Sequence, residues 1–160
     1  MEEAKILETL KQRFPGQVLE TGAPFGDETA VIRRDALVEI VDFLRGKPFA
    51  FGMLLDLTCV DFPGRRDRFE IIYHLFSLLL NRRLRLKLRV AEDEAIDSLS
   101  RFWKNANWLE REAYDMFGIP FRGHPALRRL FMYDGFEGHP LRKDYPLRKR
   151  QPRIALKNPE

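Results

Sequence analysis

The chain has 160 residues, is 44% hydrophobic and 32% charged, and carries a net charge of +4. That length supports one domain with a proper core plus an extension and is too short for two full domains. The charge is too modest for a protein built to coat nucleic acid, and a single cysteine, Cys59, excludes an internal disulfide or a multi-thiolate metal centre and fits a reducing compartment.

Residues 2–14 set Ile6, Leu7, Leu10 and Phe14 at helical spacing before Pro15-Gly16 stops the pattern, which predicts a short helix. The opening residues do not read as a basic–apolar–small signal peptide, and no apolar run approaches the ~20 residues that cross a bilayer, so no membrane insertion by this stretch is expected. Residues 17–21 and 29–33 read as strands around the loop Gly22-Ala23-Pro24-Phe25-Gly26. Asp35 is expected to N-cap a second helix with Leu37, Ile40, Val41 and Leu44 on its apolar stripe and Gly46 as its stop.

Three longer strands are expected over 49–60, 68–78 and 83–90, with turns at Pro63-Gly64 and Asn81-Arg82. The last alternates Leu84, Leu86, Leu88 and Val90 with Arg83, Arg85, Lys87 and Arg89, so one face is apolar and the other basic. The first two are apolar on both faces over much of their length, as central strands covered by helices would be. Helix, two strands, helix, three strands and a closing helix make an α+β arrangement around a mixed sheet.

Glu92, Asp93 and Glu94 are expected to open another helical stretch, since acidic side chains suit the positive end of a helix dipole. Asn107 then reads as an N-cap with Glu110 as its capping-box partner, and Gly118 as the residue that ends the helix. On that helix Leu109, Ala113, Met116 and Phe117 share one face, with Arg111, Glu112 and Asp115 toward the other. Prolines and glycines beyond it leave no sustained period, so residues 1–119 read as the α+β domain and 120–160 as an irregular, Pro- and Arg-rich arm. The positive charge is concentrated there: residues 118–150 hold eight cations against three anions.

Independent catalysis finds little support. His74, His124, His139 and Cys59 lack ligand spacing, and His74 reads as a half-buried strand residue. Gly-x-Ser-x-Gly and phosphate-cradling glycine loops are absent, and Cys59 inside an apolar strand reads as packing. Lys47-Pro48-Phe49-Ala50-Phe51 faintly echoes an RNA-recognition strand, but Pro48 stands where glycine is needed, so Phe49 and Phe51 read as core. The basic 83–89 face is the feature a free-standing nucleic-acid binder would use, and a solvated, charge-protected sheet edge is its structural alternative. Glu110-Arg111-Glu112-x-x-Asp115 interleaves acids with arginine, which favours ion pairing over acid–base work. An arm rich in Arg, Pro and aromatics is a good interface element.

The stretch Trp108-Leu109-Glu110-Arg111-Glu112-Ala113-Tyr114-Asp115-Met116-Phe117-Gly118-Ile119, followed by Phe121, Gly123-His124-Pro125 and Leu127-Arg128-Arg129, resembles the signature of the thirty-kilodalton subunit of respiratory complex I, the C subunit of bacterial NADH:quinone oxidoreductase. Gly138-His139-Pro140-Leu141-Arg142-Lys143-Asp144-Tyr145-Pro146-Leu147 is similar to that family's closing motif. Phe131 is bulkier than the aliphatic residue expected there, and the chain ends sooner after the closing motif than many relatives do.

The resemblance implies a non-catalytic peripheral-arm subunit on the cytoplasmic face of the bacterial membrane, reaching the membrane only through its complex. It would bind no metal or cofactor itself, while FMN, iron–sulfur clusters, NADH and quinone belong to other subunits. Its partner would be the larger, hydrogenase-like D subunit near the quinone-reducing site. Nucleic acid would not be a partner. A related possibility is the equivalent subunit of a membrane-bound nickel–iron hydrogenase. Glu110, Arg111, Glu112, Asp115 and Gly118 are expected to fix the helix and the start of the arm. Arg128, Arg129, Arg142, Lys143, Asp144 and Tyr145 are expected to dock, with His124 and His139 bracing the arm.

Overall fold

The structure is a computed structural model and describes residues 5–154. Helix α1 (Ile6–Arg13) buries Ile6 and Leu10, and residues 2–4 of the expected helix lie outside the described residues. Strands β1 (Val18–Gly22) and β2 (Glu28–Ile32) follow as an antiparallel pair, then helix α2 (Leu37–Arg45) with the expected stripe buried and Gly46 at its end. Asp35 does not cap α2. It lies in a 3-10 turn, Arg34–Ala36, and its carboxylate accepts from Arg34 Nε at 3.2 Å.

Strands β3 (Met53–Asp61), β4 (Phe69–Ser77) and β5 (Arg82–Val90) form the rest of a five-stranded sheet in the order β1-β2-β5-β4-β3. The β2–β5 pair is parallel and the others antiparallel, which makes the sheet mixed. Phe49 and Phe51 are core residues, but they precede β3 rather than opening it. The leucines of β5, with Phe69, Ile71, Tyr73 and Leu75 of β4, face the helices. Each such fully buried large side chain stabilises by about 1.5–3 kcal/mol.

Strand placement overturns two expectations. β3 is an edge strand, with Met53 and Leu55 partly open to solvent, rather than a strand covered on both faces. β5, whose basic face suggested an edge, is the middle strand. Its cations are balanced across the sheet: Lys87 Nζ lies 2.8 Å from Glu70, Arg89 bonds Glu20 at 2.8 Å, and Arg85 NH2 is 3.9 Å from Asp27. A face so neutralised offers phosphates little, which weakens the nucleic-acid reading.

Residues 92–93 form a turn, closed by Glu94 N donating to Ala91 O at 3.3 Å, and not a helix. The Glu94 carboxylate accepts from Ala91 N at 3.1 Å and also pairs with Arg34. A two-residue strand, β6 (Ile96–Asp97), comes next, and its partner β7 (Phe121–Arg122) is supplied by the start of the arm. Between them runs helix α3 (Ala106–Phe117), which packs on β3. Its N-cap is Asn105, not Asn107, and Asn105 Nδ2 donates to Leu54 O at 2.8 Å rather than capping the helix.

Candidate site: a helix clamped at both ends by the arm

Helix α3 carries three buried charged residues, Glu110, Arg111 and Asp115, and each is spent on a backbone segment. Glu110 is no capping-box partner. Its carboxylate accepts from Ser98 Oγ and Leu99 N, both at 2.6 Å, and so holds the loop after β6. Burial raises its pKa to about 7 against these two hydrogen bonds. Arg111 donates to the carbonyls of Arg128 and Arg129 at 3.1 and 3.0 Å. The arm covers Arg111 and Asp115 and leaves Glu112 as the exposed member of the group.

Asp115 gathers the arm. One carboxylate oxygen accepts from the backbone N–H groups of Leu130, Phe131 and Met132 at 2.9, 2.7 and 2.9 Å, and the other from Arg129 NH1 at 2.7 Å. Burial pushes the Asp115 carboxyl up, but the Met132 N–H, the Arg129 guanidinium and the Phe131 and Leu130 N–H groups outweigh it, so its pKa falls below the ordinary value. A buried carboxylate with four donors is a satisfied anion, which is the condition for keeping it ionised without solvent.

The two Gly-His-Pro copies grip opposite ends of α3. In the first, Ala126 N donates to His124 Nδ1 at 3.0 Å, which leaves Nε2 as the protonated nitrogen, donating to Asn107 O in the first turn at 3.0 Å. The second copy fills the last turn, whose carbonyls have no partner within the helix. His139 Nδ1 bonds Asp115 O at 2.9 Å, Leu141 N donates to Met116 O at 3.1 Å, and Arg142 Nε donates to Phe117 O at 2.6 Å. Gly118 takes the left-handed conformation expected of the residue that ends the helix, with φ +79° and its N–H on Tyr114 O. Placing the Arg142 guanidinium here also suits the negative end of the helix dipole.

The remaining residues expected to dock sit in two groups. Arg129 also donates to Phe136 O and Gly138 O, while Tyr145 stacks on Phe136 and receives a hydrogen bond from Gln151. Asp144 joins a network that sequence reasoning missed. Arg68 meets buried Asp61 through a two-pronged bond, Nε to Oδ1 at 2.7 Å and NH2 to Oδ2 at 2.8 Å, and reaches Glu92 and Asp144. Lys143 N donates to Asp61 Oδ2 at 2.7 Å, and Arg142 NH1 bonds Glu92 at 2.6 Å. Opposite charges flanking the Pro63-Gly64 turn were a local signal for the Asp61–Arg68 pair, but nothing local pointed to the arm.

Among the described residues, no group of three or more His, Cys, Asp or Glu side chains is arranged to hold a metal ion. Cys59 is buried, and burial raises its thiol pKa to about 12. His74 is a half-buried residue of β4, as its sequence position suggested. No described helix is long and apolar enough to cross a membrane.

The fold is that of a mixed-sheet α+β domain whose last helix is clamped at both ends by a basic arm. Residues 30–151 match the family described as respiratory-chain NADH dehydrogenase, 30 Kd subunit, and the chain belongs to that family. It is 46% identical over 135 residues to the NADH-quinone oxidoreductase C subunit of Azorhizobium caulinodans, covering 84% of this chain and 64% of that one. To the C subunit of Caulobacter vibrioides it is 47% identical over 149 residues, covering 90% and 75%. The chain thus spans about two thirds of the length of the first of these relatives.

Among solved structures, the trypsin-resistant fragment (1-134) of Nqo5 matches with TM-score 0.66 and 28% identity over 76% of this chain and 99% of that one. A chain of the membrane-bound sulfane sulfur reductase, an archaeal respiratory membrane complex, shares the fold with TM-score 0.74 and 21% identity over 89% of this chain and 84% of that one. Curated relatives named as the C subunit of NADH-quinone oxidoreductase do not favour the hydrogenase alternative.

Proposed function

We propose that this chain serves as a peripheral, non-catalytic subunit of an NADH:quinone oxidoreductase, on the cytoplasmic face of the membrane, where it scaffolds the larger hydrogenase-like D subunit beside the quinone-reducing site. The observation that carries the reading is the use made of the signature motif. Its buried ionised side chain Asp115 takes three consecutive arm N–H groups and an arginine, so the motif's chemistry goes into holding an arm in shape. A pre-shaped arm loses little conformational entropy on docking. FMN, the iron–sulfur clusters, NADH and quinone would then be handled by other subunits.

The test is capture of the chain by an N-terminal tag from gently solubilised membranes of the native organism. The expected result is co-purification of the hydrogenase-like D subunit together with NADH-oxidising and iron–sulfur subunits. Recovery of the chain alone, or with nucleic acid, would refute the proposal.

A further inference from the structure

Each Gly-His-Pro copy is followed by a basic pair, and the fold splits both pairs. Arg129 and Arg142 turn inward to Asp115 and to Phe117 O. Their neighbours Arg128 and Lys143 are exposed, and the chain uses only their backbone atoms: Arg128 O accepts from Arg111, and Lys143 N donates to Asp61. Further along, Arg148 and Arg150 are also exposed, whereas of the three carboxylates among the arm's described residues Glu137 and Asp144 are engaged by Lys149 and Arg68, which leaves Asp134 alone against these cations. The outward charge of the arm is therefore positive.

Large apolar side chains accompany these cations. Phe131 is 60% exposed, Leu141 50% and Leu147 98%, on backbone that Asp115 and α3 hold in place at the first two. Exposed aromatic and aliphatic groups on a fixed backbone contribute little to this fold, yet they are well suited to filling pockets on another protein. Resting on the family reading above, we propose that Arg128, Lys143 and Arg148, with Phe131, Leu141 and Leu147, form the docking surface of the arm. The partner subunit meets them with apolar pockets rimmed by carboxylates. Charge complementarity sets this choice, since desolvating an outward cation beside a neutral or basic surface is unfavourable.

The test uses the assembled complex carrying Arg128→Glu together with Lys143→Glu. Both side chains are exposed, so the melting midpoint of the isolated chain should not change. The subunit should leave the complex at lower salt, with affinity reduced by about tenfold or more, and a zero-length carbodiimide reagent should join wild-type Lys143 to an Asp or Glu of the partner subunit. Equal retention of variant and wild type at every salt concentration, with no such cross-link, would overturn the inference while the co-purifying chain left the family reading intact. Failure of the wild-type chain to co-purify would remove both. Binding of the wild type but not the variant to phosphatidylglycerol vesicles, without a carboxylate cross-link, would assign the surface to a membrane and also overturn it.

Discussion

Gly118 and the His139 ring occupy the same small space: a Cβ added at Gly118 would lie 2.6 Å from His139 Nε2, and equally close to Arg142 NH2. The second Gly-His-Pro motif is thus seated on the residue that ends the helix bearing the first half of the signature. Neither side chain is free to swing away, because each is bonded to a last-turn carbonyl of α3.

Gly118→Ala should therefore destabilise the chain by about 2 kcal/mol, combining left-handed backbone strain with a displaced arm, and lower the melting midpoint by roughly 5 °C. Gly118→Asn separates the two causes. Asparagine tolerates positive φ, so if conformation were the whole effect it would melt near wild type. The close approach predicts that it falls as far as alanine, measurable by thermal denaturation of the purified variants.

Asp115→Asn should release the arm. The amide keeps one acceptor oxygen but turns an NH2 toward donors, breaking a buried ion pair with Arg129 at a cost of about 3 kcal/mol. Amide hydrogen exchange should accelerate at Leu130, Phe131 and Met132 before it does in β4 or β5. The pH dependence has a definite sign. Because the folded carboxyl titrates below its ordinary value, its contribution is present above that value and is lost as pH falls through the folded one. Acid should thus loosen residues 130–132 early.

Glu110 should behave oppositely. Burial raises its carboxyl pKa to about 7 in the folded chain, against an ordinary 4.5 in the unfolded one. Between those values the native state holds a proton that the unfolded state has released. Stability is full below the lower value and declines by about 3 kcal/mol as pH rises through the upper one. Glu110→Gln keeps the Leu99 N–H bond and can donate to Ser98 Oγ, so its stability should be nearly flat over that range. Urea midpoints at pH 5 and pH 8 for both proteins decide this; an unchanged slope in the variant would place the effect elsewhere.

Much of the α+β core was legible because its patterns are local. The Leu–basic alternation of β5, the α2 stripe, the Pro63-Gly64 and Asn81 turns and the stop at Gly118 each depend on residues a few positions apart. The misreadings share a cause: a partner far along the chain. Acidic residues at 92–94 suggested a helix, but Ile96 was needed opposite Phe121, and Glu94 found Arg34. Glu110 suited a capping box three residues from Asn107, yet Ser98 and Leu99 claimed its carboxylate. The basic face of β5 suggested an edge because β2, which pairs along its other side, and Glu20, which balances Arg89, lie far back in the sequence. For the site, the motifs indicated which residues matter; only the fold showed that Arg129 and Arg142 point inward while Arg128 and Lys143 do not.

The Asp61–Arg68 pair offers the sharpest test of how the arm is tied to the sheet. Asp61 is fully buried at the side chain, and its carboxylate accepts both Arg68 prongs and the Lys143 N–H. The Arg68 hydrogen bond is the main reason its pKa is lowered. Arg68→Lys preserves the charge but not the planar fork, and cannot also reach Glu92 and Asp144. A loss of about 2 kcal/mol is expected, with faster exchange at the Lys143 amide. Asp61→Asn should cost a similar amount, and the double variant should cost much less than the two together, with a coupling of about 2 kcal/mol. Urea unfolding of the four proteins measures that coupling directly. Additive losses would mean that Arg68 and Asp61 act separately.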